Sequence, residues 1–186
     1  VLDRQSQRLR KLTEDLVEAS KASTGNIPVS PAPTDLNVLL SQVCGEYQQR
    51  LEDQVLEPVL ALCQPGPVAM ADGRLLWRVL DNLMSNICKY AMPGTRVYLS
   101  TEAGEDGVRM VVKNISRYPL NISADELTER FVRGDSSRST EGSGLGLSIA
   151  TSLTAIQGGD FRLTIDGDLF KVTLTLPRAE QKEKQE

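Results

Sequence analysis

The chain has 186 residues, of which 40% are hydrophobic and 25% are charged, with a formal net charge of −4. It contains no histidine, so it cannot itself form a Ser-His or Cys-His relay or the usual His-containing zinc site. The mildly acidic balance also differs from the clustered basic surface of nucleic-acid-binding domains, and we expect no nucleic-acid partner. Three widely separated cysteines, Cys44, Cys63 and Cys88, predict buried free thiols rather than a disulfide framework.

Residues 1–24 predict an amphipathic helix. Leu2, Leu9 and Leu16 recur every seven residues, with Ala19 on the second apolar position of the repeat. A stripe this narrow is typical of a helix that packs against another helix. Because a short isolated helix is marginal in water, we expect a partner helix in this chain or in another.

The rest of the chain predicts a linker over residues 25–33, an α/β domain over 34–177 and a solvated charged tail over 178–186. Three long helices are expected in the domain, one capped by Thr34 or Asp35 and ending near Leu51, one beginning at Asp72, and one following Gly146. A short helix is also expected where Ser123 and Glu126 form a capping box. The expected strands are Val59–Leu62, Val68–Met70, Val97–Thr101, Val108–Lys113, Phe161–Ile165 and Phe170–Leu176. Turn residues predict two hairpins, one through Gly104–Gly107 and one around Asp166 and Gly167.

Polar side chains lie close together on the helix that begins at Asp72. Asn82, Asn86 and Lys89 fall within about 60° of each other around the helix axis, and Tyr90 follows them. Amide oxygens can ligate Mg²⁺, lysine can bind phosphate as a point charge, and a tyrosine ring can lie against a base. The pattern therefore predicts part of a nucleotide site, with a solvated polar face as the alternative interpretation.

Glycines precede the last predicted helix in the segment GSGLGL, residues 142–147. Glycine lets the backbone approach a ligand, and the N–H groups at a helix N-terminus attract an anion such as a nucleotide phosphate. The alternative is a flexible hinge. Two better-known nucleotide motifs are absent from the sequence: there is no Gly-Lys dipeptide for a P-loop, and Leu147 stands where a Rossmann GxGxxG fingerprint needs glycine.

Three motifs in order carry a resemblance to sensor histidine kinases. NLMSNICKYA resembles their N box, ERFVRGDSSRS resembles their F box and lid, and GSGLGLSIA resembles their second glycine box. The resemblance covers residues 34–177, and the leading helix resembles the second helix of the dimerisation hairpin in these proteins. It implies an α/β fold, a two-layer sandwich in which one layer of helices covers a mixed sheet. This is the Bergerat-type ATP-binding fold shared with gyrase, MutL-type repair ATPases and heat-shock chaperone ATPases, here preceded by one amphipathic helix.

The resemblance implies a role for each matched residue of the N box. Asn86 resembles the Mg²⁺ ligand, and Asn82 and Lys89 resemble contacts on the phosphate side. Tyr90 resembles the ring that lies against adenine. ATP and Mg²⁺ are therefore the expected ligands.

The later motifs supply the expected lid and phosphate loop. Phe131 would anchor the lid, and Arg133 would reach the γ-phosphate, with Arg138 as a second choice. No side chain is assigned as catalytic. The residues expected around the phosphates are Gly142, Gly144, Leu145, Gly146 and Leu147.

One segment departs from the family pattern. Where the family has DxGxG after a strand, this chain has VVKNISRYP, with Asn114 at the aspartate and Ser116 and Tyr118 at the glycines. An Asn oxygen can still accept a hydrogen bond from the amino group of adenine, and its NH₂ could donate to a ring acceptor. Losing the charge would cost about 1 kcal/mol, roughly fivefold in affinity.

We expect the ATP-binding catalytic region of a sensor histidine kinase, which transfers the γ-phosphoryl group to a histidine for relay to an aspartate of a response regulator. Since the chain has no histidine, the acceptor is expected upstream of Val1, and the chain should not phosphorylate itself. The alternatives are a degenerate ATP-binding or partner-binding module with little kinase activity, and a related serine kinase or ATPase of the same superfamily.

The expected partners are a response regulator and a second copy of the chain, bound through the N-terminal helix hairpin. No apolar run approaches the ~20 residues that cross a bilayer. We therefore expect a cytoplasmic domain whose parent protein is anchored in the cell membrane.

Overall fold

Within the described residues, helices and strands follow one another in the order that the sequence predicts, with one added strand; the short helix predicted at Ser123 lies outside these residues. The computed structural model describes residues 2–120 and 145–180. The elements are α1 (Leu2–Ser23), β1 (Ala32–Asp35), α2 (Leu36–Asp53), β2 (Glu57–Ala61), β3 (Val68–Ala71), α3 (Gly73–Tyr90), β4 (Arg96–Gly104), β5 (Gly107–Ile115), α4 (Gly146–Ala155), β6 (Asp160–Asp166) and β7 (Leu169–Leu176).

Strand β1 was not predicted, because its four residues, Ala32–Asp35, include a proline and directly follow the proline-rich linker. The strand pairs antiparallel with β3 in a small sheet of its own, so the end of the segment predicted as linker is strand. The pairing joins residues more than thirty positions apart in the sequence, which local propensity does not register.

Aspartates cap α2 and α3, as the sequence predicts for both helices. Asp35 accepts hydrogen bonds from the N–H groups of Asn37 at 2.8 Å and Val38 at 3.1 Å, and Asp72 accepts one from Arg74 at 3.0 Å. Burial alone would raise the pKa of Asp72, but hydrogen bonds from the Arg74 side chain and from the Ser30, Arg74 and Leu75 N–H groups hold that pKa below its usual value. Asp72 is therefore a charged cap inside the protein.

The main sheet is mixed, which confirms the predicted fold class. Its strand order is β2-β4-β5-β7-β6, with β2 parallel to β4 and every other pair antiparallel. One row across four strands consists of Leu99, Val112, Val172 and Leu163, which pack into or against the hydrophobic core. Since the apolar residues of α2, α3 and α4 belong to the same core, the helices cover this face of the sheet.

The β4–β5 hairpin turns through Glu105 and Asp106, as expected. Gly107 has φ +140°, and a Cβ atom there would lie 2.5 Å from the carbonyl oxygen of Leu176. Only glycine fits, because the neighbouring strand β7 passes directly beside the turn.

Helix α3 has the apolar face that the sequence predicts. Its buried side chains include Leu76, Val79, Leu80, Leu83 and Ile87. Leucine and isoleucine side chains of this kind each contribute about 1.5–3 kcal/mol when fully buried. The polar residues of α3 are thus held in place by a helix packed along its length.

Helix α1 confirms the predicted helix, but only part of the predicted stripe packs against the domain. Ala19 of the stripe lies against the core and Asp15 and Ala22 are buried, whereas Leu9 and Leu16 are 65% and 60% exposed. Within the described residues, α1 packs mainly against α4. The partner helix expected from the sequence therefore exists, but the described contact leaves Leu9 and Leu16 uncovered.

An arginine from α3 joins α1 to the domain. Arg78 forms ion pairs with Asp15 at 3.0 Å, Glu18 at 2.8 Å and Asp81 at 3.1 Å. Burial alone would lower the pKa of Arg78, but the hydrogen bond with Glu18 and the three negative charges raise it above its usual value. The Tyr47 hydroxyl, 2.6 Å from Asp81, extends the same cluster into α2.

Beyond β7 the chain remains in contact with the protein. The N–H of Ala179 donates to the carbonyl of Val68 at 2.9 Å, and the Ala179 side chain is buried. The prediction of a solvated tail from residue 178 is therefore wrong for Ala179, because this residue extends the edge next to β3.

Membrane-spanning helices need a long apolar segment, and none of the helices in the described part of the chain has one.

The three cysteines are free thiols, as predicted. Cys44 and Cys88 are buried, and Cys63 is partly buried. Burial raises the pKa of both buried thiols, although the positive charges of Arg50 and Lys89 partly oppose this at Cys88. These side chains are neutral at physiological pH and pack as small apolar groups.

Candidate nucleotide site

The C-terminal half of α3 presents an amide that is buried but lacks a hydrogen-bond partner. Asn82 is only 8% exposed, and its Nδ2 atom has no partner among the described residues. The interpretation of this side chain as part of a solvated face is therefore wrong. A buried donor without a partner costs about 1–3 kcal/mol, which a ligand acceptor would recover.

The N-terminus of α4 faces the two asparagines of α3. Gly146 is the first residue of α4, and a Cβ atom there would lie 3.4 Å from Oδ1 of Asn82 and 3.8 Å from Oδ1 of Asn86. Leu145 at the N-cap position makes no side-chain capping hydrogen bond, and the first turn contains no acidic residue. The positive end of this helix dipole is thus directed to the space beside the asparagines.

A second buried amide without a complete set of partners lies at the end of β5. Asn114 is 5% exposed, and its Nδ2 donates to the carbonyl of Ile115 at 3.2 Å. Its Oδ1 has no partner among the described residues. The geometry therefore leaves an acceptor free at the position where the sequence predicts contact with an amino group.

A cavity of about 180 Å³ lies between α3, the end of β5 and the start of α4. An apolar cavity of about 150 Å³ accepts benzene, whereas drug-sized ligands need about 300 Å³ or more, so this one suits a single planar ring system. Its walls combine aliphatic and aromatic side chains with a few polar groups. They are formed by Asn86, Ile87, Tyr90, Asn114, Ser116, Tyr118, Leu120, Leu147 and Phe170.

Hydrogen bonds fix the backbone that follows β5. The N–H of Ser116 donates to the carbonyl of Asp168 at 2.7 Å, and that of Arg117 donates to the carbonyl of Tyr90 at 2.8 Å. The Ser116 hydroxyl donates to the carbonyl of Tyr118 at 2.8 Å. These contacts replace the glycine-rich turn of the family pattern and bring Tyr118 to the cavity.

The structure brings together several of the residues that the sequence singles out. Asn86, Tyr90, Asn114 and Leu147 line the cavity, while Asn82 faces Gly146 beside it. Lys89 lies partly buried in the last turn of α3 and is not among the residues lining the cavity. The other predicted site residues, Phe131, Arg133, Gly142 and Gly144, and the second choice Arg138, lie outside the described residues.

Sequence reasoning did not assign five lining residues, Ile87, Ser116, Tyr118, Leu120 and Phe170. Phe170 comes from a strand far away in sequence, so no local pattern could place it at the site. Tyr118 carried a signal, since a large ring stood at a glycine position of the family pattern.

The donor set fits a magnesium ion bound together with a phosphate ligand. Within residues 2–120 and 145–180, no group of three or more Cys, Asp or Glu side chains is placed to hold a metal. Asn86 supplies a hard oxygen donor beside the space at the α4 N-terminus. A cation held by one amide needs other oxygen ligands, as Mg²⁺ commonly takes from waters and substrate phosphates.

Comparison with known proteins agrees with this fold. Residues 71–180 match the family model described as histidine kinase-, DNA gyrase B-, and HSP90-like ATPase. Sensor protein VanSC of Enterococcus gallinarum is 30% identical over 93% of the chain, and sensor histidine kinase WalK of Bacillus subtilis is 26% identical over 98%. The chain spans 48% of VanSC and 31% of WalK.

Solved structures extend the comparison to three dimensions. The structure of full-length ShkA in complex with AMPPNP superposes with a TM-score of 0.79 at 28% identity. The match covers 95% of this chain and 37% of ShkA. The chain therefore belongs to the histidine kinase-, DNA gyrase B- and HSP90-like ATPase family and carries the ATPase catalytic domain of sensor histidine kinases.

Proposed function

We propose that the chain binds ATP with Mg²⁺ between α3, β5 and α4 and acts as the phosphoryl donor of a histidine kinase. The observation that carries the proposal is the pair of buried amide atoms without partners, Nδ2 of Asn82 and Oδ1 of Asn114. Native proteins pair most buried polar atoms, and each exception calls for a ligand, a water or another explanation. Here one donor and one acceptor lie beside the same site.

The cavity is the proposed base subsite. Oδ1 of Asn114 would accept a hydrogen bond from the exocyclic amino group of adenine, and Tyr90 would lie against the ring. The size of the cavity, about 180 Å³, supports a base inside it and leaves the ribose and phosphates to extend outside. ShkA, the 28% identical relative, binds AMPPNP, an ATP analogue.

The space beside the α4 N-terminus is the proposed phosphate subsite. Nδ2 of Asn82 would donate to a phosphate oxygen, and Asn86 would contribute its Oδ1 to the metal. Lys89 and the first N–H groups of α4 would add positive potential. Bound Mg²⁺ would neutralise charge on the phosphate oxygens.

The proposed acceptor of the γ-phosphoryl group is a histidine nitrogen of the parent protein, since this chain contains no histidine. The similarity to sensor kinases supports this acceptor over serine. We further propose that the exposed leucines of α1 are covered by the hairpin of a second copy, that a response regulator receives the phosphoryl group, and that the parent protein is anchored in a membrane.

Calorimetric titration with ATP and Mg²⁺ tests binding directly. We expect a single site per chain, with affinity lost when Mg²⁺ is chelated or when Asn86 is replaced by alanine. Ser41→Ala is the matched control, because Ser41 lies on the exposed side of α2, where its hydroxyl bonds only the Asn37 carbonyl within its own helix. Absence of binding at millimolar nucleotide would overturn the proposal.

Because the chain spans less than half of VanSC and of WalK, phosphoryl transfer is tested with a longer gene product that carries the proposed histidine. We expect phosphate that is labile in acid and stable in base, which is the behaviour of phosphohistidine. Phosphate that survives acid would indicate serine transfer, and release of inorganic phosphate alone would indicate an ATPase. The short chain serves as the control and should remain unphosphorylated.

A second candidate function is a binding module with little kinase activity. The observation that favours it is the altered segment after β5, where Asn114, Ser116 and Tyr118 replace the family pattern. Tight ATP binding by the longer gene product without any phosphohistidine would favour this candidate.

A further inference from the structure

The cavity collects an unusual share of the aromatic side chains of the chain. The sequence has three Phe, four Tyr and one Trp, and three of these eight residues, Tyr90, Tyr118 and Phe170, line the one cavity of about 180 Å³. Tyr118 is 58% exposed and Tyr90 is 37% exposed. Aromatic side chains gain most when they are buried, so two exposed tyrosines at the mouth of an apolar cavity indicate surfaces that a ligand covers.

Tyr118 is held at this position by its neighbours. Its N–H donates to the Ser116 hydroxyl at 3.3 Å, and its carbonyl accepts from the same hydroxyl at 2.8 Å. The adjacent Arg117 N–H is bonded to the carbonyl of Tyr90. A second backbone hydrogen bond, from the Met92 N–H to the Ile115 carbonyl at 2.9 Å, joins the same two segments. The backbone that carries Tyr118 is therefore fixed beside Tyr90 before any ligand binds.

The hydrogen bond that the pocket offers to the edge of a base is weak compared with stacking on an aromatic ring. Asn114 offers one neutral acceptor, and neutral hydrogen bonds contribute less than hydrogen bonds to a charged group. Removing an aromatic side chain on which a base stacks typically weakens binding by about five- to 150-fold. A pocket that offers one neutral hydrogen bond to the edge of a base and several aromatic rings to its face binds the base mainly by stacking.

We propose that Tyr118 is a base-contacting residue that forms an aromatic wall of the nucleotide pocket in addition to Tyr90. The inference rests on the proposed function, because it takes the cavity as the base subsite. It goes beyond that proposal by assigning affinity to a residue that the family pattern would make glycine. In this chain the ring of Tyr118 compensates for the charge missing at Asn114.

Three variants of the full chain test this assignment by calorimetry with Mg²⁺ and either ATP or ADP. Tyr118→Leu keeps an apolar side chain without a ring, and Tyr118→Phe keeps the ring. Tyr98→Leu is the matched control, because Tyr98 is similarly exposed on β4, lies 5.5 Å from the Lys113 ammonium and does not line the cavity. Thermal unfolding of each unliganded variant shows whether the fold is retained.

We expect Tyr118→Leu to weaken ATP and ADP binding by the same factor, about tenfold, because a base contact does not depend on the γ-phosphate. Tyr118→Phe and Tyr98→Leu should bind within about twofold of the unchanged chain. Unchanged affinity in Tyr118→Leu, or an equal loss in Tyr118→Phe, would overturn the assignment while leaving the proposed function intact. If the unchanged chain binds neither nucleotide, the proposed function fails as well.

Discussion

The two halves of α3 differ in whether their polar side chains have partners within the described protein. In the first half, Arg78 contacts three carboxylates, and one of them, Asp81, also accepts the hydrogen bond of Tyr47. In the second half, only one turn later, Asn82 is buried with an Nδ2 atom that has no partner among the described residues. Both halves lie on the same rigid helix and differ in whether protein groups complete the contacts.

The difference separates structural polar groups from groups that await a ligand. A buried charge is retained only when it is paired, and the Arg78 cluster is paired within the protein. An amide without a partner among the described residues destabilises the free protein, and this supports the proposal that a ligand completes the bond. Four substitutions test this contrast, and they follow in order of decreasing expected effect.

Asn82→Ala should separate binding from stability most clearly. Removing a donor to a charged phosphate should lower ATP affinity by roughly ten- to 150-fold, while the free energy of unfolding stays the same or rises, since no native bond is lost. Calorimetry and denaturant unfolding measure the two quantities. Asn37→Ala is the matched control: its amide bonds Cys63 at 2.9 Å and Thr101 at 2.6 Å, so it should lose stability and keep ATP affinity. The same behaviour in both variants would contradict the comparison.

Arg78→Met should have the reverse effect. Three carboxylates would be left without their cation, which should lower the free energy of unfolding by about 2 kcal/mol, less than for a fully buried pair because the cluster is partly exposed. ATP affinity should change less than about twofold when it is measured at a temperature where the variant is fully folded. In Arg78→Met/Asp15→Leu part of the stability should return. Hydrogen exchange over Leu2–Ser23 reports whether α1 is released, and unchanged protection there would contradict the role of the cluster.

Asp72→Asn should remove an acid-labile part of the stability while retaining a good N-cap. The pKa of Asp72 is lower in the folded protein than in the unfolded chain, where it is about 3.9. The ionised carboxylate therefore stabilises the fold above the unfolded pKa, and this stabilisation is lost as the pH falls through the folded pKa. The unfolding free energies of the two proteins should differ by about 1 kcal/mol at pH 6 and converge near pH 2. Parallel curves over this range would show that the charge contributes nothing.

Asn114→Asp should produce the smallest change in binding. A carboxylate acceptor should raise ATP affinity about fivefold at neutral pH. The same change should lower the stability of the unliganded chain, because the added charge is buried without a partner. It should not raise affinity for inosine triphosphate, whose base carries an oxygen in place of the amino group. An equal gain for both nucleotides would indicate that Asn114 does not read this edge of the base.

Local chemistry determines the parts of the fold that the sequence predicts correctly. Asp35 and Asp72 stand directly before apolar-periodic segments, and the 3.6-residue period places Leu76, Leu80 and Ile87 on one face of α3. Turn residues define both hairpins. Each of these signals lies within a few positions of the structure it determines.

The features that the sequence does not predict all depend on distant residues. Arg78 is an ordinary helix charge until α1, more than sixty positions earlier, brings Asp15 to it. Asn82 becomes a buried donor without a partner only because α3 packs within the core beside the start of α4. Tyr118 reaches the cavity because Asp168, from the β6–β7 turn, holds the backbone of Ser116. Residue type and spacing single out Asn82, but only packing gives these three residues the surroundings described here.

The Arg78 cluster also has a mechanical consequence. The cluster contacts α1 at Asp15. The 13 positions from Asp15 back to Leu2, the first residue of α1, span about 20 Å. A tilt of about 10° at the cluster would displace the far end of α1 by roughly 3 Å. Because the Arg78 guanidinium lies one turn from Asn82, the residue that anchors α1 and the buried amide share one rigid helix.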